Sequence, residues 1–404
     1  MAHLSRLHLT NFRNFSDLEL NLAPGVAVFF GDNAQGKTSL LEAVYLLAIA
    51  RSFRAENERE VVSFRAGLRG EQAVVRGTVE KKDQRFSINV GYQSVMGRGN
   101  GGPVGSRSEF EPSASRSSDV SRYSVRKEIR VNRTRRTAAN LVGLVGAVLF
   151  SADDIDLVYG PPSGRRRYLD ILISQSDSIY IKGLQRYQKV VQQRNQLLRM
   201  LRDGRAEAVE LDFWNGELVR EGAGIIWQRQ GALRKLSRFS AEHQRQLSGV
   251  DEEFYVEYLP SVPCGESLQD TEERFCESLA AFRHRELATS ATAVGPHRDD
   301  FKLLVNGMDM GTFASRGEAR TLALTLRLAE ASYLASTRRD EPIVLLDDVL
   351  SEMDLSRRQR VLEKITRYQQ VLITTTDLEM VRQYFGDRAA YFKVAGGQVV
   401  PWKE

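Results

Sequence analysis

Residues 31–39 read GDNAQGKTS and fit G-x-x-x-x-G-K-[ST], the pattern of a phosphate-binding loop. In such a loop the backbone of Gly31, Asp32, Asn33, Ala34, Gln35 and Gly36 wraps phosphate oxygens, and the glycines let the amides come close. Lys37 adds a point charge near the outer phosphates, the Thr38 hydroxyl ligates Mg2+, and Ser39 completes the run. A second candidate is IVLLDDVLSEMD (343–354). Its apolar run carries Asp347 to the end of a buried strand, where a carboxylate can hold the Mg2+ shell. Asp348 then stands where a carboxylate can polarise an attacking water. The third is the tetrad Ser315, Arg316, Gly317 and Glu318, which opens an apolar helix. Ser315 as N-cap with Glu318 at N3 makes a capping box, and a helix N-terminus is equally an anion site. The tetrad alone leaves both readings open.

These residues need rigid elements behind them. VAVFF (26–30) is apolar throughout, as a strand covered on both faces should be, and LLEAVYLLAIA (40–50) continues the loop as a buried helix. DLELNL (17–22) alternates as a half-buried strand, and further strands are expected at 73–79 and 86–92 around the turn KKDQ. Residues 93–119 are rich in Gly and Ser and predict a mobile insertion. From 168 to 290 the period is helical. Tyr180, Leu184, Tyr187, Val191, Leu198 and Leu201 share one face up to RDGR (202–205), and Phe213, Leu218, Ile225, Leu233 and Leu236 mark a second run. The runs read as short, which predicts a compact helical domain and no extended coiled coil. After 290, FKLLVNGMDM predicts a hairpin at Asn306-Gly307, and PIVLLD (342–347) and QVLITTT (370–376) predict strands. An α/β domain interrupted by a helical insertion results.

Composition narrows the class. The chain has 404 residues, 42% hydrophobic and 27% charged, as in a globular protein of two or three domains. A net charge of +5 tilts it mildly toward polyanions. The longest apolar stretches, 40–50 and 141–150, fall short of the roughly 18 residues that cross a bilayer. The opening MAHLSRLHLTNFRNF has no apolar core of a secretory signal, so a cytoplasmic protein without membrane association is expected. Cys264 and Cys276, without histidines at zinc spacing, are expected to be free thiols.

The order of the motifs resembles that of ABC-type ATPases: phosphate loop, long insertion, polar tetrad at a helix start, acidic strand, and the loop SEMD (351–354). That resemblance implies that Ser315, Arg316, Gly317 and Glu318 are a signature acting in trans on ATP held by a second copy. NFRNF (11–15), RSFR (51–54), FSADDIDLVYGPPSGRRRYLD (150–170), GPHRDD (295–300), SRGEARTLALTLRLAE (315–330) and LLDDVLSEMD (345–354) together are similar to the RecF family of bacterial recombination mediators, ABC-type ATPases related to the heads of SMC proteins. The implied fold is α/β, an ABC/SMC-type ATPase head with an inserted helical arm domain. The head would span 1–167, with a flexible insertion near 93–124, and 291–404; the arm would span 168–290. The implied function is replication and recombinational gap repair, within the SOS response to DNA damage. It comprises binding of single- and double-stranded DNA, ATP-dependent homodimerisation, and a weak DNA-stimulated ATPase used as a switch. Help in loading the RecA recombinase with RecO and RecR completes it. ATP and Mg2+ are the implied cofactors, with Thr38 and Asp347 at the metal and Asp347 and Asp348 catalytic.

The chain departs from the family pattern at Ala152, where a proline is expected, and in the length of the 93–124 insertion. TTTD (374–377) stands where transporters carry the switch histidine, and the Q-loop glutamine is not identifiable. VRKEIRVNRTRR (125–136) holds Arg126, Lys127, Arg130, Arg133, Arg135 and Arg136 against Glu128. Arg130, Arg133, Arg135 and Arg136 are candidate DNA contacts, with a solvated strand face as the alternative. Arg165, Arg166 and Arg167 place positive charge against a helix dipole, which suits DNA, an acidic side chain or a solvated cap. His297 and Arg298 follow a Gly-Pro turn and could be structural. A transporter nucleotide-binding subunit would need a contiguous domain, an SMC-like structural clamp long coiled coils, and a nuclease-coupled ATPase a further metal cluster.

Overall fold

The computed structural model describes residues 2–82, 84–96, 123–249, 251–338 and 340–403. The chain divides into two compact units, residues 1–141 with 369–404, and residues 142–368. Among the described residues no helix is long and apolar enough to cross a membrane.

The first unit holds strands β1 (Ala2–Phe12), β2 (Phe15–Asn21), β3 (Gly25–Phe30), β4 (Gln72–Lys81), β5 (Gln84–Met96), β6 (Tyr123–Val131) and β7 (Thr134–Arg136). All but β3 form an antiparallel sheet in the order β2-β1-β4-β5-β6-β7. Alternation assigns its faces: Leu7, Leu9, Val75, Ile88, Val90 and Ile129 are buried on one side. β3 pairs in parallel with the strands Gln370–Thr375 and Ala389–Ala395, and the latter turns back through Gly396-Gly397 onto Gln398–Trp402. The helix Lys37–Ile49 packs on β4 and β5 and on Gln370–Thr375. It therefore touches strands of both groups, which is why its apolar run has no polar side. The mobile insertion expected from composition at 93–119, and near 93–124 from the resemblance, falls largely outside the described residues. Residues 93–96 complete β5 and 123–124 open β6, while 97–122 lie outside the described residues.

In the second unit the strand Ile343–Asp347 pairs in parallel with Ala147–Ser151, setting Asp347 opposite Ser151. Helices Pro162–Ser176, Ser178–Arg202, Glu210–Ser248, Leu268–Thr289, Arg316–Arg338 and Leu355–Ile365 make up most of the rest. The helical runs are not short. Ser178–Arg202 has 25 residues, and Glu210–Ser248 has 39, about 58 Å at 1.5 Å per residue. Their inward faces carry Arg194, Glu221, Arg229 and Gln244, so the apolar period breaks where the helix does not. A strand, Phe254–Leu259, also escaped the helical reading. It alternates Phe254 and Val256 inward and pairs with Asp300–Val305, which turns at Asn306-Gly307 as expected.

Candidate nucleotide-binding site

The phosphate loop leaves β3 at Gly31, whose φ of 156° turns a would-be Cβ to 2.2 Å from the Val394 carbonyl oxygen. Gly36 has φ 115°, and a Cβ there would stand 2.5 Å from the Asn14 amide. Neither position admits a side chain, so both glycines are demanded by the backbone path. The loop is pinned from outside: Asn14 Nδ2 donates to the Gln35 carbonyl at 2.8 Å, and Gly396 N donates to Gln35 Oε1 at 2.7 Å. Lys37, 6% exposed, donates from Nζ to the carbonyls of Gly31 (2.7 Å) and Asp32 (2.9 Å). Its ammonium thus lies along the mouth of the loop. The following helix starts on a glycine, and its first turn carries no acid. Its positive dipole end is therefore not offset by a carboxylate of its own.

Behind the loop lies a polar cluster with no functional reading in the sequence. Glu42, fully buried on the helix Lys37–Ile49, accepts two hydrogen bonds from Arg13, Nε at 2.8 Å and Nη2 at 2.6 Å. Ser52 Oγ donates to the same carboxylate and accepts from the amides of Arg54 (3.0 Å) and Ala55 (2.8 Å). Arg13 also reaches the Glu60 carbonyl at 2.8 Å. NFRNF and RSFR are thereby fastened to one buried carboxylate. The available signal was the glutamate inside LLEAVYLLAIA, the one charge in an otherwise apolar run.

In the second unit Asp347 ends its strand half-buried, and Asp348 adopts the left-handed region with φ 54°. Ser351 Oγ donates to the Asp348 carbonyl at 2.7 Å, steadying that strained residue. The tetrad forms the capping box: Ser315 N donates to Glu318 Oε2 at 2.7 Å and Glu318 N to Ser315 Oγ at 3.3 Å. Hydrogen bonds to Ser315 hold the Glu318 carboxyl below its usual range. All four residues are exposed. Arg320, one turn on, pairs with Glu352 of SEMD at 3.0 Å. A cavity of about 110 Å3 between these two elements is lined by Gly317, Arg320, Glu352, Asp354 and Arg357.

The basic residues separate by strand register. Arg130 faces Arg135 across the β6–β7 ladder, on the exposed side of the sheet. Arg136 stands opposite the buried Ile129, on the other face, and Arg133 sits at the turn with φ 68°. Lys127 also turns to the other face, donating to the Ala50 carbonyl and pairing with Glu58 at 2.6 Å. Arg165 has found an acidic side chain, binding Asp300 at 2.7 and 2.8 Å, and Arg166 donates to the Asp299 carbonyl. His297 is structural. Its Nε2 contacts the Thr292 carbonyl at 3.1 Å and must carry the proton, so Nδ1 accepts from the Tyr187 hydroxyl at 2.7 Å. Burial pushes the His297 pKa down to about 4, which keeps this neutral form. Asp299 and Asp170 in turn hold the buried Arg229 of the long helix.

Comparison with known proteins places this arrangement. Residues 3–396 match the model of the RecF/RecN/SMC N terminal domain. The DNA replication and repair protein RecF of Herpetosiphon aurantiacus is 37% identical over 99% of this chain and 100% of its own. The protein of the same name from Geobacillus kaustophilus is 35% identical over 98% of each. A solved structure of the recombination mediator protein RecF with ATP, in the RecFOR pathway, superposes with a TM-score of 0.84 at 31% identity, covering 100% of this chain and 98% of that one. The Smc head domain of Pyrococcus furiosus shares the fold at a TM-score of 0.52 and 15% identity, covering 100% of this chain and 97% of that one.

Proposed function

The chain belongs to the RecF family of DNA replication and repair proteins, with an ABC/SMC-type ATPase fold, and we propose that it works as an ATP-switched DNA-binding protein in gap repair. ATP binding carries the proposal. The phosphate loop has the two glycines its path demands, a lysine along its mouth, and a helix N-terminus behind it whose first turn carries no acid. The residues from Gly31 to Ser39 take the phosphates. The hydroxyl of Thr38 and the carboxylate of Asp347 are hard oxygen donors of the kind Mg2+ prefers, and they are its proposed ligands. When bound, Mg2+ neutralises charge on the outer phosphates. Asp348 orients and polarises the attacking water.

Ser315, Arg316, Gly317 and Glu318 serve a second copy of the chain. Their exposure, and that of Phe313 (69%) and Leu355 (71%) beside the tetrad and SEMD, favours an interface there. ATP then joins two copies, the dimer grips single- or double-stranded DNA, and slow DNA-stimulated hydrolysis releases it. The family resemblance adds RecO and RecR as partners in loading RecA. The helical segment 168–290 is the arm of this head. Its two longest helices, Ser178–Arg202 and Glu210–Ser248, have 25 and 39 residues, and their shortness beside the long coiled coils an SMC-like clamp needs favours a mediator.

Lys37→Ala tests the reading. Binding of a fluorescent ATP analogue should fall at least a hundredfold while the fold, followed by circular dichroism, is kept; wild-type affinity would remove Lys37 from the site.

A further inference from the structure

The antiparallel sheet of the first unit has an open face, and its side chains fall into transverse rows. Gln72, Gln93 and Arg126 make one row, and Val74, Gly91 and Glu128 the next. Arg76, Asn89, Arg130 and Arg135 make the third. Together they line a groove of about 550 Å3. At Gly91 the floor is covered by the Gln72 side chain, since a Cβ there would stand 2.6 Å from Gln72 Nε2.

Charge gives the groove its sign. Four arginines surround one carboxylate: Glu128 lies 2.9 Å from Arg130 Nε and 3.6 Å from Arg135 Nε. The hydrogen bond from Arg130 holds its carboxyl below the usual range. Among the described residues, Arg76 and Arg126 have no carboxylate within ion-pair distance. The β1–β2 side of the same face is different, because there Arg6 pairs with Glu19 and His8 with Asp17. The positive excess is thus confined to β4–β7.

We propose that this groove seats the sugar–phosphate backbone of duplex DNA, with Arg76, Arg126, Arg130 and Arg135 on phosphates and Glu128 orienting the last two. The proposal rests on the DNA-binding reading above and names a site within it. Arg126 and Arg130 are about 13 Å apart along β6, and Arg76 and Arg135 about 14 Å apart across three ladder steps. A patch of that size reaches several neighbouring phosphates of a duplex. Gln72, Asn89 and Gln93 supply uncharged donors and acceptors suited to phosphate and sugar oxygens.

The test is duplex affinity of the full chain with ATP, measured from 50 to 200 mM salt. Two double variants remove the same charge: Arg76→Gln with Arg126→Gln inside the groove, and Arg133→Gln with Arg136→Gln outside it. Each phosphate contact contributes about 0.9 to the logarithmic salt slope, so the first variant should lose about 1.8, making the salt effect roughly twelvefold smaller. The second variant should keep the wild-type slope. Equal slopes for the two variants would overturn the groove as the seat while leaving DNA binding intact. A wild-type chain that binds no duplex would overturn the DNA-binding reading itself.

Discussion

Arg13→Ala should loosen the helix that carries the phosphate loop, though Arg13 lies outside the loop. The Glu42 side chain is fully buried and that of Arg13 is 21% exposed, joined through two hydrogen bonds. Removing one partner of a buried pair costs about 3–5 kcal/mol, because a charge is left behind without compensation. Water reaching the exposed edge of Arg13, and the remaining bond from Ser52, favour the lower end, about 3 kcal/mol. That corresponds to roughly a hundredfold faster hydrogen exchange at the amides of Lys37–Ile49, where local opening limits exchange. The apolar pair Arg13→Met with Glu42→Leu should recover most of the protection, since well-packed replacements of buried ion pairs are often neutral. Exchange within threefold of wild type in Arg13→Ala would refute the reasoning. So would a double variant as labile as the single one.

Asp348→Asn should bind Mg2+-ATP and dimerise but lose hydrolysis, and its DNA complex should dissociate more slowly; an unchanged DNA off-rate alongside abolished turnover would separate chemistry from release. Glu318→Gln keeps the N3 acceptor of the capping box but removes a negative charge from a proposed phosphate contact. It should strengthen ATP-dependent dimerisation severalfold by sedimentation, whereas a weaker dimer would give that charge a positive role. His297 is depressed from 6.5 to about 4, so the unfolded chain binds the extra proton first. Its contribution is complete above about pH 6.5 and is lost as pH falls toward 4, amounting to at most about 3 kcal/mol. Thermal unfolding of His297→Gln should therefore fall less steeply over that window. The slope left over belongs partly to His243, which burial also depresses to about 4.

The glycines of the loop were legible because their positive φ is a local matter that a nine-residue window contains, whereas the Val394 and Asn14 groups that crowd them come from distant segments. The capping box was legible for the same reason. Charge out of place was legible only by half. Arg165 left DNA, an acidic side chain and a solvated cap open, and the choice of Asp300 depends on a fold that brings distant segments together. Glu42 is the same case, its partner Arg13 coming from the turn between β1 and β2. Helix length was obscured because Arg194 and Arg229 sit on buried faces, where a period count expects leucine; the ion pairs that permit this lie on other helices and loops. The basic run 125–136 looked like one surface in the sequence. Pairing in β6 sends Lys127 and Arg126 to opposite faces, and it brings in Arg76 from β4, which no local pattern could supply.

Sedimentation velocity of the purified chain with ATP, with ADP and without nucleotide bears most directly on reciprocal, ATP-dependent pairing. Ser315 is exposed at the start of its helix, and Ser315→Arg places a bulky charge there without touching the phosphate loop. The account predicts a dimer with ATP alone, and a Ser315→Arg variant that binds ATP yet stays monomeric. A sedimentation coefficient indifferent to nucleotide, or a Ser315→Arg chain that dimerises with ATP as wild type does, would contradict it.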